Sequence, residues 1–329
     1  MISGRSDRRP RKRGGCRANF KSGHYKSPLL IMTNLRYSVL LIFILSVTLS
    51  AQTPSPSPSP PPASDIYLIP ATNVAGQMKL DQPAKITEWT GYNNQPFFLP
   101  DGKSLLYTSI RADKQADIYL YDIARRSTTR ITQTPESEYS PTLTPDGGFV
   151  SVVRVEADGT QRLWKFPIGG GDPVLVLDKI KPVGYHTWID QNTLALYVLG
   201  QPNTLQIVDV PSGKSEVIAQ NIGRTLRRVP KQDKLSFVNR VSAQEWLIKE
   251  VDLKTRQITT LVKTLPGSED YAWTPSGVLL MTKDTKLFKF DPLKDSDWKE
   301  LTDFFQSGLR TVTRVIVSPQ GDWIAIVAH

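Results

Sequence analysis

Cysteine and histidine are nearly absent from this chain, with one and three copies in 329 residues. Cys16 stands close to the start, so the rest of the chain can form neither a disulfide nor a thiolate metal site. His24, His186 and His329 are too dispersed for any paired-histidine metal motif. There is no G-x-S-x-G elbow to carry a nucleophilic serine. Gly169-Gly-Gly-Asp172 is followed by neither Lys-Ser/Thr nor a helical pattern, so it reads as a tight connection rather than a phosphate cradle. Asp158-Gly159 reads as a hairpin turn rather than part of a calcium loop. No catalytic residue, cofactor or metal ligand is therefore nominated, although carboxylates scattered along the chain could still converge in space.

Acidic residues are few only at the start. The chain carries 41 Lys/Arg against 31 Asp/Glu, a formal charge of +10. Ten of the basic residues and a single acid fall within residues 1–52, which leaves 31 basic against 30 acidic residues beyond. A surface that tracks phosphates needs a basic excess, so no nucleic-acid partner is expected.

Long apolar runs are also scarce. Val39 to Leu49 is a mostly apolar run of eleven, preceded by Met32-Thr-Asn-Leu-Arg36 and closed by Thr48, Ser50 and Ala51. This is the outline of a secretory signal peptide over residues 32–51, short for a membrane span. Residues 1–31 then read as an upstream extension from a misassigned start, or as a basic tail before an uncleaved anchor, the only membrane attachment foreseen. Residues 52–64 follow as a spacer whose alternating Pro and Ser favour extended polyproline.

What the chain does have, from residue 65 onward, is a repeat. Gln95-Pro-Phe-Phe-Leu-Pro-Asp-Gly102 and Ser140-Pro-Thr-Leu-Thr-Pro-Asp-Gly147 each lead through a Pro-Asp-Gly turn into a β-rich stretch. Pro presets φ at the first corner, Asp bonds the backbone ahead, and Gly takes the left-handed position. Weaker copies start at Asp190, Pro230, Pro275 and Pro319. With Pro100 and Pro145 the six turns are spaced 45, 45, 40, 45 and 44 residues apart. Between them recur an aromatic-rich third strand, such as Asp117-Ile-Tyr-Leu-Tyr-Asp122, and a short fourth, such as Thr129-Arg-Ile-Thr132. Four antiparallel strands in such a period describe a blade, and six periods a six-bladed β-propeller over residues 65–329. The last unit ends after its second strand, while Asp65-Ile-Tyr-Leu-Ile69 and Ala84-Lys-Ile-Thr87 resemble a spare third and fourth. One composite blade built from both termini would close the ring and leave no open sheet edge.

Phe98-Leu-Pro-Asp-Gly-Lys103, Leu106-Tyr-Thr-Ser-Ile-Arg111, Asp117-Ile-Tyr-Leu120 and Arg130-Ile-Thr132 together resemble the propeller repeat of TolB-like proteins. The motif-level resemblance covers about 80 residues, and the remaining units keep the spacing and turn chemistry. It implies an exported, non-enzymatic propeller that binds proteins in the cell envelope, periplasmic or secreted. TolB proper carries an α/β domain ahead of its propeller, whereas here a signal peptide and spacer are read instead.

A binding surface is expected on the face formed by the loops that join one blade's fourth strand to the next blade's first. Those loops supply Trp89, Tyr92, Asn94, Tyr139, Tyr185, His186, Tyr271 and Phe304, aromatic and polar groups suited to recognition. Arg111, Arg154 and Arg240 end second strands near that face and could pair acidic groups of a peptide. The alternative roles are structural: wedges between blades, and salt bridges within them. A monomer binding a protein or peptide partner is the leading expectation. A lactonase-like enzyme or carbohydrate-binding propeller, holding a metal by scattered carboxylates, is the other.

Overall fold

The computed structural model describes residues 61–74 and 77–329. The leader, the signal peptide and most of the spacer expected above lie outside the described residues. Six antiparallel sheets form an all-β ring. Blade 1 comprises β4 (Asn93–Phe98), β5 (Ser104–Ile110), β6 (Ala116–Asp122) and β7 (Ser127–Arg130). Blade 2 comprises β8 (Ser137–Leu143), β9 (Phe149–Val155), β10 (Gln161–Pro167) and β11 (Val174–Leu175). Blade 3 runs from β12 (Val183–Trp188) through β13 (Thr193–Val198) and β14 (Thr204–Asp209) to β15 (Lys214–Gln220). Blade 4 is β16 (Ile222–Arg228), β17 (Lys234–Arg240), β18 (Trp246–Asp252) and β19 (Ile258–Lys263). Blade 5 is β20 (Tyr271–Trp273), β21 (Leu279–Lys283), β22 (Lys286–Phe290) and β23 (Lys299–Asp303).

The sixth blade is the composite one. Strands β24 (Val312–Val317) and β25 (Trp323–Ala328) come from the end of the chain, and β1 (Asp65–Val74) from the start. β25 pairs with β1 from Asp65↔Ala328 to Pro70↔Trp323. The pleat sends alternate residues to opposite neighbours. Ile69, Ala71, Ile324 and Ile326 pack with Leu280 and Leu287 of blade 5. Ile66, Leu68, Ala325 and Val327 pack with Phe98, Leu105 and Tyr107 of blade 1. The outer position departs from expectation. β3 is only Ala84–Lys85, and β1 runs on to pair with β2 (Gln77–Leu80), a hairpin the repeat does not contain.

The turns that carry the period behave as their chemistry requires. Gly102, Gly147, Gly277 and Gly321 all take positive φ, between 67° and 85°. Asp101, Asp146 and Asp190 each accept a backbone N–H two residues ahead, at 2.8–3.0 Å. A second motif recurs beside them: Thr87 Oγ1 donates to Asp65 at 2.7 Å, and Thr132 Oγ1 to Asp117 at 3.3 Å. Each threonine also accepts the N–H of the isoleucine that follows the aspartate, so the Asp-Ile-Tyr-Leu likeness between the two ends of the repeat is one of hydrogen bonding too.

Blades meet through one recurring position on the second strand. At the blade 2–3 junction it is Ser151, which receives Trp188 Nε1 at 2.9 Å and lies 2.8 Å from His186 Nε2. At the blade 4–5 junction it is Ser236, which receives Tyr271 Oη and Trp273 Nε1, both at 2.8 Å. At the other junctions it is apolar. Leu106 packs with Val150 and Val152, Ala195 with Leu226, Leu280 with Val315 and Val317, and Ala325 with Phe98. Polar meets polar and apolar meets apolar all round the ring.

Two outcomes follow. Deleting Trp323–His329 removes a strand that packs on both neighbours, so the whole ring should lose its cooperative melt in calorimetry; a truncated chain that melts like the full one would contradict closure. Ser236→Ala leaves the buried Tyr271 hydroxyl and the half-buried Trp273 indole without an acceptor and should cost roughly 2–4 kcal/mol in denaturant titration. Leu106→Ala at the equivalent apolar junction should instead show the cavity cost of a core truncation, ~2–5 kcal/mol.

Candidate functional site

The first strand of each blade lines a central channel. In five blades its pairing with the second strand is broken by a register shift. Gln95 and Ser140 sit at two of these shifts with φ of 57° and 54°. Such bulges re-aim side chains at the rim of a closed sheet. The residues five places before each turn are Gln95, Ser140, Tyr185, Thr225, Asp270 and Arg314. All six line one small cavity of about 60 Å³, joined by Arg224 and Arg227. The ring is thus written into the sequence at a fixed offset from the turns.

Asp270 is the electrostatic centre of this ring. It is 3% exposed and accepts Arg224 Nε at 2.9 Å, Arg314 Nη1 at 2.9 Å and Thr225 Oγ1 at 3.2 Å. Burial alone would push its carboxyl up, but the Arg314 and Arg224 guanidinium groups outweigh it and hold it below the usual range. Arg314 reaches on to Tyr185 Oη at 3.2 Å. Glu269 takes Arg240 at 2.6 Å and Arg224 at 3.3 Å. Three arginines thus face two carboxylates here, and Arg227 below them has no ion pair among the described residues. The Tyr92 hydroxyl, pushed up to about 12 by burial, lies within the field of Arg314, Tyr185, Tyr139 and Arg224.

Of the residues expected to bind, the structure brings Tyr92, Tyr139, Tyr185 and Arg240 to this mouth. Trp89 and Arg111 sit together further out, in a groove with Tyr107, Tyr121 and Arg126. Arg111 stacks 3.7 Å over the Tyr119 ring. Arg154 is drawn into blade 2, paired to Glu136 and stacked 4.9 Å over Trp164. Asn94 is buried, and its Oδ1 accepts the N–H of Gln95 at 2.8 Å, holding the bulge. His186 and Tyr271 are the partners of Ser151 and Ser236 in the polar seams; His186 is buried and held neutral, with its pKa lowered to about 3. Phe304 is 2% exposed and packs in the core between blades 5 and 6. Arg224, Arg227 and Arg314 were not among the expected site residues. The offset from the turn finds Arg314 and Asp270 directly.

The donor set does not suit a cation. Among the described residues no three His, Cys, Asp or Glu side chains are placed to share a metal ion. Asp270 and Glu269, the acids at the mouth, are both engaged by arginine.

Beside the mouth, Glu138 is a buried acid with one oxygen unpartnered. Its Oε1 accepts Thr134 Oγ1 at 2.5 Å, and Oε2 has no hydrogen-bond partner. Burial pushes its pKa up to about 7. The folded state therefore holds this proton more tightly than the unfolded chain, and stability falls as pH rises from about 4.5 to about 7. Glu138→Gln keeps the Thr134 bond and removes the buried charge. It should melt like the parent near pH 5 and above it near pH 8, by a margin on the order of 2–3 kcal/mol. Equal shifts at both pH values would contradict this.

No family model matches the chain. Among solved structures it is similar to a protein assigned as TolB from Agrobacterium tumefaciens, with a TM-score of 0.63 and 18% identity over 82% of this chain and 98% of that one. A TolB from Acinetobacter baumannii matches with a TM-score of 0.53 and 14% identity over 81% of this chain, which spans 64% of that one. A protein assigned as a gluconolactonase matches at 0.54 and 9% identity, over 79% and 97% of the two chains. At these identities the likeness is one of fold. The chain has the six-bladed propeller of TolB-like proteins, an architecture it shares with enzymes.

Proposed function

We propose that this chain is an exported, non-catalytic propeller whose loop-face mouth takes an acidic segment of a protein or peptide partner in the cell envelope. Residues 32–51 direct export in this reading, and the Pro/Ser segment of residues 52–64 separates the propeller from whatever precedes it. The observation that carries it is the arginine-rich mouth: among the described residues Arg224, Arg240 and Arg314 pair with Glu269 and Asp270 alone, beside Tyr92 and Tyr185. A partner carboxylate arriving there meets forked guanidinium donors already oriented by their neighbours, which lowers the ordering cost of binding. Tyrosines beside them add contact area at little entropic expense. A lactonase-like reading needs several free carboxylates at the same mouth, where Glu269 and Asp270 are engaged by arginine.

The test uses the purified propeller with an Asp/Glu-rich peptide and its Asn/Gln counterpart. The acidic peptide should bind, and binding should weaken as salt rises. Arg240→Gln should weaken it several-fold, since Glu269 keeps Arg224 as partner and the fold stays intact. Equal binding of the neutral peptide, or no effect of Arg240→Gln, would sink the reading.

A further inference from the structure

The opposite face, where the turns lie, has its own mouth. It opens into a hollow of about 450 Å³, more than seven times the volume of the cavity within the ring. Pro230, Pro275 and Pro319, the first residues of three repeat turns, stand on its wall. Phe97, Trp273, Ile316 and Val317 supply most of the remaining apolar surface. A second hollow of about 460 Å³ adjoins it across Pro230, Lys231, Trp273 and Pro275, and Leu293, 92% exposed, stands on the rim of that one. Hollows of this size and lining suit small organic ligands, whose sites combine apolar walls with a few placed polar groups.

The placed polar group here is Arg227. It lines both the narrow cavity and the wide hollow, and so lies where the two meet. Its Nε donates to Tyr271 O at 3.3 Å, a long bond to a neutral acceptor. The other arginines of the channel have carboxylates: Arg224 and Arg314 hold Asp270, and Arg240 holds Glu269. Arg227 has no ion pair among the described residues: burial opposes its charge, and only the field of the more distant Asp270, already paired to Arg224 and Arg314, supports it. Arg228 at the same wall is only loosely held, 3.6 Å from Asp233, and Lys231 on the rim adds a further positive charge. An unpaired cation at the base of an apolar hollow is costly in the free protein, and an arriving anion would relieve that cost.

We propose that the turn-face hollow is a binding site for a small amphiphilic monocarboxylate, its carboxylate on Arg227 and its apolar body against Trp273, Phe97 and Ile316. A guanidinium fork matches a carboxylate in two parallel hydrogen bonds, and a neutral head group of the same shape offers only half that match. The charge pattern commits the site to an anion. The wide hollow, walled by proline, Phe97, Trp273, Ile316 and Val317, fits an alkyl or aryl chain better than a sugar, which would leave its hydroxyl groups against proline and tryptophan; the adjoining hollow is more polar and holds the Lys234–Glu250 pair. This site is separate from the loop-face mouth, and neither reading depends on the other.

The probes are decanoate and decanamide, titrated into the purified propeller by calorimetry, with the tryptophan fluorescence lost on Trp273→Phe as a second readout. Decanoate should bind at least ~10-fold more tightly than decanamide. Arg227→Met removes a charge that holds no ion pair, and Asp270 keeps Arg224 and Arg314, so the variant should fold and melt near the parent temperature while losing the preference for the acid. Arg227→Lys keeps a charge without the fork and should retain part of the preference, which keeps the site testable even if the methionine variant misfolds. Arg240→Gln, at the other mouth, should leave decanoate binding unchanged. Equal binding of acid and amide, preference surviving in Arg227→Met, or no saturable binding of decanoate would each overturn the proposal.

Discussion

Everything in this ring depends on the pairing of β1 with β25. Five sheets built in chain order would leave two open ends, each exposing a row of unpaired backbone groups and half of a core. The six register pairs between Asp65–Pro70 and Trp323–Ala328 remove both ends at once. Because the pleat sends alternate residues to blades 5 and 1, the same few residues also join the two halves of the core. The channel exists only while this closure holds, since Arg314 on β24 completes the cluster around Asp270.

The repeat is legible in the sequence because turn chemistry is local. Pro, Asp and Gly act on backbone angles within four residues, so six copies at a near-constant spacing announce six blades without any tertiary information. The hairpin of β1 and β2 is not legible, because nothing in the period calls for an extension of the third strand there. The outcome for the site is mixed for a different reason. Aromatic residues near a blade junction are alike in sequence whether they face solvent or a neighbouring blade. Tyr185 meets the channel, whereas Tyr271 is fully buried against Ser236. What separates them is the partner across the seam, and that residue lies 35 positions away from Tyr271 in the chain. Arg224 and Arg314 escape notice in the sequence because they stand neither in the loops nor at the ends of second strands. They belong to the bulged first strands, which carry the channel.

The two mouths of the channel divide the work of charge differently. At the loop face, arginine and carboxylate neutralise one another almost completely, which leaves a modest positive surplus on a polar surface. At the turn face Arg227 and the loosely held Arg228 stand among proline and aromatic walls, with no carboxylate among the described residues lining the wide hollow. The first arrangement suits a charged, hydrated segment of a larger partner, and the second a small body that is mostly apolar.

The alternation of seams has a consequence for how such a chain can be rearranged. Ser151 and Ser236 each meet a following blade that brings a tryptophan and a second hydrogen-bonding side chain. A tandem copy of blade 2 would set Ser151 against Pro141 and Leu143 and leave its hydroxyl only the bonds to Thr142 of its own blade. Excision of blades 3 and 4 together would bring Ser151 to Tyr271 and Trp273, a junction of the kind already present. Each blade therefore carries a key for its successor, and the order of blades around the ring is inherited in matched pairs rather than singly.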